Sequence, residues 1–224
     1  MRASRFIFVA VLLLGAVLAA PAGEILDRIV ATVNGHIILQ SDWEDELRYE
    51  AFLGGKPLVQ LTPADRQAAL DRLVDQELLK EQIRLSGSSS APSPADIATE
   101  IAKLRKQSLE GGDDQAWTEM LAHFGLTPDD LQRRVASQIA ITRLIDDRLR
   151  PTIQVDSDSI AAYYQQTFLP QLKQSGGAEL SLADATPQIR QLLTEQKLNQ
   201  ALNDWVQALR GSGVIHLETG GPRQ

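Results

Sequence analysis

Two short apolar runs within residues 25–42, Ile29-Val-Ala-Thr-Val33 and His36-Ile-Ile-Leu39, flank the dipeptide Asn34-Gly35. Asn-Gly between apolar runs predicts a β-hairpin, because a type I′ turn needs φ > 0 at both central residues. A two-residue loop pairs Val33 with His36, Thr32 with Ile37, Ala31 with Ile38 and Val30 with Leu39. Apolar groups then fall on both faces of the ribbon: Val30, Ile37 and Leu39 on one, Ile29, Ala31 and Ile38 on the other. A lone hairpin is marginal in water, so this one needs cover from other elements. Ser41 and Glu44 read as the S-x-x-E capping box of the helix that follows.

Beyond Asp42 the apolar spacing becomes helical. A first helix over about 42–53 turns Trp43, Leu47 and Phe52 inward and stops at Gly54-Gly55. Lys56–Leu61 reads as a loop. Thr62-Pro63 opens a second helix with an inward stripe of Leu70, Leu73, Val74, Leu78 and Leu85. After the connection at 87–94, Ser93-Pro94 starts a third, with Ile97, Ile101 and Leu104 on one face. Gly111-Gly112 breaks it, and a fourth helix at about 114–124 presents Trp117, Met120, Leu121 and Phe124. Thr127-Pro128 opens a fifth, aligned on Leu131, Val135, Ile139, Thr142, Ile145 and Leu149. The three Ser/Thr-Pro starts carry Asp65, Asp96 and Asp130, carboxylates that suit a helix N-terminus. Asp156 caps a shorter helix holding Ile160, Tyr163, Tyr164 and Phe168, ended by Pro170 and Gly176-Gly177. The last helix, about 182–209, turns Ile189, Leu192, Leu193, Leu198, Ala201, Trp205 and Leu209 inward, and Pro187 must lie in its first turns or kink it. Gly211-Ser212-Gly213 stops it, and Val214–Leu217 reads as a strand suited to the free edge of the hairpin. The expected fold is mostly α, with a small sheet in which the two ends of the chain close one domain over 23–155 and 181–217; residues from Glu218 read as a disordered tail.

Composition narrows the function. At 43% hydrophobic and 23% charged, the 224 residues have enough apolar material for a core, while 5% aromatics leaves few large anchors. There is no cysteine, which excludes disulfides, thiol catalysis and a lipid-modified cysteine. Residues 1–22 stand apart: Arg2 and Arg5 precede the apolar run Phe6–Leu18, and Ala20-Pro21-Ala22 supplies the small residues of a cleavage site. They read as a secretory signal peptide cut near Ala22-Gly23 rather than an anchor, since the run is shorter than the roughly 20 residues that span a bilayer. Its loss takes the formal net charge from −7 to −9. So acidic a chain is a poor nucleic-acid binder. No later segment has transmembrane length, so stable membrane insertion is not expected after cleavage.

Three blocks resemble the SurA-type periplasmic chaperones, a family related to PpiD and the parvulin-associated foldases. They are Ile29-Val-Ala-Thr-Val-Asn-Gly-His-Ile-Ile-Leu-Gln-Ser-Asp42, Ala69-Leu-Asp-Arg-Leu-Val-Asp-Gln-Glu-Leu-Leu79 and Val155-Asp-Ser-Asp-Ser-Ile-Ala-Ala-Tyr-Tyr164. Pro187-Gln-Ile-Arg-Gln-Leu-Leu193 and the terminal strand are similar to the family's closing helix and strand. The hairpin block is the specific one. In this family a parvulin prolyl isomerase domain sits between positions matching Tyr164 and Ser181, and it needs a domain-sized insertion of about 100 residues. Only sixteen residues lie there, so 156–180 is expected to be a short helix and linker with the parvulin domain missing. The resemblance implies an ATP-independent holdase in the periplasm, binding unfolded outer-membrane or secreted proteins.

The residues themselves offer little chemistry. His36, His123 and His216 lack metal-ligand spacing, although His36 and His216 would approach if their strands paired. Asp113-Asp114, Asp129-Asp130 and Asp156-Ser-Asp158 fall at helix starts, and Asp146-Asp147 carries no further signal. The glycine and distal glutamate of a calcium loop are absent, as are a phosphate loop and a nucleophile motif. No enzyme activity and no cofactor or metal are therefore expected. Apolar surface remains: Trp43, Phe52, Leu53 and Leu58 around the Gly-Gly loop, Trp117, Met120 and Phe124 on the fourth helix, and Tyr163, Tyr164 and Phe168 on the sixth. Such stripes are more often core than groove, yet a chaperone needs a cleft with flexible apolar walls or an open sheet edge. Two rival readings are a module docking one dedicated envelope partner and a divergent prolyl isomerase. A homodimer exchanging the terminal helix is an assembly the linker would allow.

Overall fold

β1 (Ile29–Val33) and β2 (His36–Leu39) form the expected hairpin, with φ of +49° at Asn34 and +85° at Gly35. The structure, a computed structural model, describes residues 27–87, 91–109, 111, 113–176 and 180–218. The leader at 1–22 and the tail after Glu218 lie outside the described residues, as does the break residue Gly112. β3 (Ile215–Leu217) adds antiparallel to the other side of β1, giving the order β2-β1-β3. Asn34 fastens this junction: its N–H donates to the Val214 carbonyl at 2.9 Å, and its side-chain oxygen accepts from the Val214 N–H at 2.7 Å. Its amide nitrogen also donates to Glu81 at 2.5 Å, tying the turn to the second helix.

The hairpin register departs from expectation at one point. Leu39 faces Ile29 rather than Val30, because a bulge between Ile29 and Ala31 adds one residue to β1. A one-residue insertion changes which face each later side chain occupies. Val30 and Ala31 are therefore both buried, at 3% and 0% exposure, whereas Ile37, expected to share a face with Val30, is 56% exposed.

Helix α1 (Gln40–Leu53) starts two residues before its expected start at Asp42, directly from the strand. Its N-cap is Leu39, whose side chain can accept nothing; the Asp42 carboxylate instead accepts the Leu39 N–H at 2.9 Å. Ser41 lies inside the first turn and bonds Asp27, and Glu44 accepts from Gln40 at 2.9 Å, so Ser41 and Glu44 are not a capping box. A 3-10 turn at Leu58–Gln60 leads to α2 (Pro63–Ser86); α3 (Pro94–Ser108), α4 (Asp114–His123) and α5 (Pro128–Leu149) follow. The Thr62/Asp65, Ser93/Asp96 and Thr127/Asp130 pairs form complete capping boxes, each with proline in the first turn. Removal of the α5 cap by Thr127→Ala is expected to cost about 1 kcal/mol of stability in a urea unfolding titration.

Hydrogen bonds from the capping residues hold Asp96 and Asp130 low. Ser93, then Arg143, lowers the Asp96 carboxyl from 3.8 to about 2, and Thr127 holds the Asp130 carboxyl below its ordinary value. A carboxylate depressed by folding stabilises the native state above its unfolded pKa and loses that contribution as pH falls toward its folded value. The unfolding midpoint is therefore expected to drop between pH 3.8 and about 2, and Asp96→Asn to flatten part of the drop.

Four groups of buried side chains hold the elements together. Phe52, Tyr49, Trp117, Leu121, Phe124 and Leu131 join α1, α4 and α5, with Ile97, Ile101 and Leu104 of α3 laid against them. The sheet packs through Val30, Ala31, Val33 and Ile38 onto Leu70, Leu73, Val74 and Leu78 of α2. Leu79, Leu144 and Val206 join α2 and α5 to α8 (Leu182–Ser212). A satellite core of Ile160, Tyr164, Ala185 and Ile189 forms where α6 (Ser157–Tyr163) meets the first turns of α8.

Five expectations give way here. Leu85 is 73% exposed in the last turn of α2, beyond its last packed residue Ile83. Leu192 is 37% exposed, because Leu193, one residue round the helix, takes the packed position. In α5 Thr142 is exposed and Leu144 is buried in its place. Pro170 does not end the sixth helix. Residues Tyr164–Phe168 widen into a π turn in which the Leu169 N–H reaches back to the Tyr164 carbonyl, and α7 (Leu169–Gln174) continues with Pro170 in its first turn. Phe168 and Leu169 are themselves helical, so Pro170 lies within a continuous helical run whose widened π turn falls directly before it. Likewise α8 runs through Gly211 and Ser212 and ends at Gly213.

Candidate functional site

A cavity of about 560 Å³ lies between α1, α2 and α5, with β2 along one side. Its apolar walls are Ile37 of β2 and Ile141 and Ile145 of α5; its polar floor is Glu46, Tyr49, Gln76 and Arg134. Sequence spacing positions the floor. Glu46 and Tyr49 are one turn apart on α1, and Arg134 follows the fully buried Leu131 by three residues, on the inward side of α5.

Glu46 is 3% exposed, and a carboxylate so buried requires partners. Arg134 donates to one of its oxygens, and Gln76 Nε2 donates to the other at 3.0 Å. The Arg134 guanidinium also lies 5.3 Å from the centre of the Tyr49 ring, within cation–π range. Burial, reinforced by the Glu46 charge, pushes the Tyr49 phenol up, so it stays neutral. Three helices thus meet at one satisfied polar cluster, facing a space bounded by isoleucines.

The aromatic candidates are distributed among separate cores. Phe52, Trp117 and Phe124 form a buried knot with ring centres 5.8 Å apart from Phe52 to each partner, and Met120 and Leu58 pack against it. Trp43 lies partly buried beside the sheet, its indole N–H donating to the Arg66 carbonyl at 2.7 Å. Tyr163, Tyr164 and Phe168 belong to the satellite core, where the Tyr164 hydroxyl donates to the Leu180 carbonyl at 2.6 Å. Leu53 is 48% exposed. None of the ten lines the cavity. Sequence reasoning missed its floor and walls; the available signal was Arg134, a cation at a core-facing position that must meet an anion from another element.

His36 and His216 do not approach one another as neighbours, because β1 lies between their strands. His36 instead stands 3.8 Å from Glu77. Among the described residues no group of three His, Asp or Glu side chains could hold a metal ion, and no helix is long and apolar enough to cross a membrane.

The profile of the SurA-like N-terminal domain matches residues 3–145. The chain belongs to that family. It is 25% identical over 206 residues to a putative peptidyl-prolyl cis-trans isomerase SurA of Haemophilus influenzae, covering 91% of this chain and 59% of the relative. It is 26% identical over 149 residues to the chaperone SurA of Chromobacterium violaceum, covering 64% of this chain and 33% of the relative. The chain therefore spans well under two thirds of the length of these curated relatives. Its fold is shared with a solved structure from work on the SurA-like chaperones PEB4 and Cj1289 of Campylobacter jejuni, at a TM-score of 0.54 and 10% identity, covering 87% of this chain and 100% of that one. Within the SurA-like frame, the sixteen residues between Tyr164 and Ser181 leave no room for an inserted parvulin domain. Those described are a π turn, the short α7 and the approach to α8.

Proposed function

We propose that this chain is an ATP-independent periplasmic holdase, which binds unfolded outer-membrane or secreted polypeptides and has no prolyl isomerase activity. One observation carries the reading: a SurA-like domain whose closing helix follows Tyr164 after sixteen residues, where the family's isomerase would be inserted. A relative named as a chaperone and a fold shared with periplasmic SurA-like chaperones support it. The leader at 1–22 supports export, and the formal charge of −7 over the full chain favours solubility of a loaded complex. Binding is weak, multi-site and sequence-tolerant, as a general chaperone requires.

Fluorescence anisotropy of several labelled, urea-unfolded β-barrel proteins, diluted into the chain from Gly23 onward, tests the binding. Saturable binding to unrelated barrels is expected, together with no acceleration of a proline-limited refolding reaction. Catalysed refolding would restore the isomerase reading. Capture of one stoichiometric envelope protein, with no binding to any unfolded barrel, would favour a dedicated-partner module instead.

A further inference from the structure

We infer that the cavity between α1, α2 and α5 takes an extended polypeptide segment as an additional strand on the free edge of β2; this deepens the holdase reading and rests on it.

Backbone parity supplies the first argument. The Asn34 N–H bonds the Val214 carbonyl, and the Glu218 N–H bonds the Val30 carbonyl, so even-numbered positions of β1 point their amide groups toward β3. Val33 and Ala31 then point toward β2, where they face His36 and Ile38. Ile37, opposite Thr32, is left with its N–H and C=O directed away from the sheet, and among the described residues neither has a partner. Unpaired groups on a strand edge are a template for another strand.

The second argument locates the cavity against that edge. Ile37 and Ile38 both line it. Successive strand residues point to opposite faces, so a space touched by both lies along the edge. Across it, Ile141 and Ile145 are one helical turn apart and offer an aliphatic wall to a side chain of the added strand.

Charge narrows the occupant. The lining carries five carboxylates, Asp42, Asp45, Glu46, Glu77 and Asp130, against Lys80, Arg133 and Arg134. An excess of two negative charges favours a segment with a lysine or arginine flanking its aliphatic residues and disfavours an acidic flank. The predicted ligand is therefore a β-forming stretch of alternating aliphatic and polar residues with a basic end, the pattern of a barrel strand. Recognition through backbone groups leaves most side chains unread, which suits varied clients.

A nine-residue peptide of alternating valine and threonine with terminal lysines is the probe, its binding to the chain from Gly23 onward followed by anisotropy and by amide hydrogen exchange. Saturable binding with at least tenfold slower exchange at the Ile37 N–H is expected. The same peptide N-methylated at alternate residues, which keeps its side chains and removes donors from one edge, should bind at least tenfold more weakly, as should a version with glutamates in place of the lysines. Ile37→Pro removes an N–H that bonds nothing within the sheet and should give the same loss, whereas Ile37→Val should retain binding. Equal binding of the plain and N-methylated peptides, or no protection at Ile37, would overturn the strand-addition site. Those results alongside intact suppression of barrel aggregation leave the holdase reading standing; absent suppression with peptide bound at Ile37 would reject general holdase activity while keeping this site.

Discussion

Arg134→Ala is expected to destabilise the protein by about 3–5 kcal/mol, because it strands a buried carboxylate. Glu46 is 3% exposed, and Gln76 alone cannot replace a cation beside it. The pair crosses from α1 to α5, so its loss also loosens the walls of the cavity. The double substitution Glu46→Leu with Arg134→Met should recover most of the loss, since apolar groups of similar volume can replace a buried ion pair at little cost. Urea titrations of the three chains measure both effects. A single variant within about 1 kcal/mol of wild type would mean that the pair is solvated and the polar floor is not a buried cluster.

Phe52→Ala is expected to cost a similar amount, about 3–5 kcal/mol, for a different reason. Phe52 is 3% exposed and meets both Trp117 and Phe124 edge-on, so truncation leaves a cavity against those two rings, on α4 and at its C-terminal end. Aromatic pairs of this geometry add to simple area burial. Tryptophan emission reports the site: Trp117 should shift to the red while Trp43 and Trp205, in other cores, hold their environments. A loss below about 1 kcal/mol would show that the knot can close over the gap.

Much of the fold was legible because local signals agreed with the tertiary result. Asn34-Gly35 specified the turn, three Ser/Thr-Pro starts with Asp65, Asp96 and Asp130 specified caps, and Val214–Leu217 found the open edge of β1. The misreadings share a cause. The bulge at Ile29–Ala31, the π turn at Tyr164–Phe168 and the entry of α1 straight from Leu39 each alter the register by a residue or two without a distinctive residue to announce it. Spacing alone then assigns the wrong face, as it did for Ile37.

The site was less legible than the fold. Large apolar residues such as Phe52, Trp117 and Tyr164 drew attention, yet size and hydrophobicity are what a core requires, and they are buried there. The cavity is instead lined by aliphatic and charged residues from β2 and α1, which are contiguous, and from α2 and α5 further along the chain, and only packing brings Gln76 and Arg134 to Ile37 and Glu46.

Light scattering of a urea-unfolded outer-membrane β-barrel protein diluted into buffer, with and without the chain from Gly23 onward, tests the holdase reading most directly. Dose-dependent suppression that approaches completion near a stoichiometric ratio is the predicted result. Undiminished aggregation in the presence of the chain, with its helical circular dichroism and cooperative unfolding intact, would contradict it.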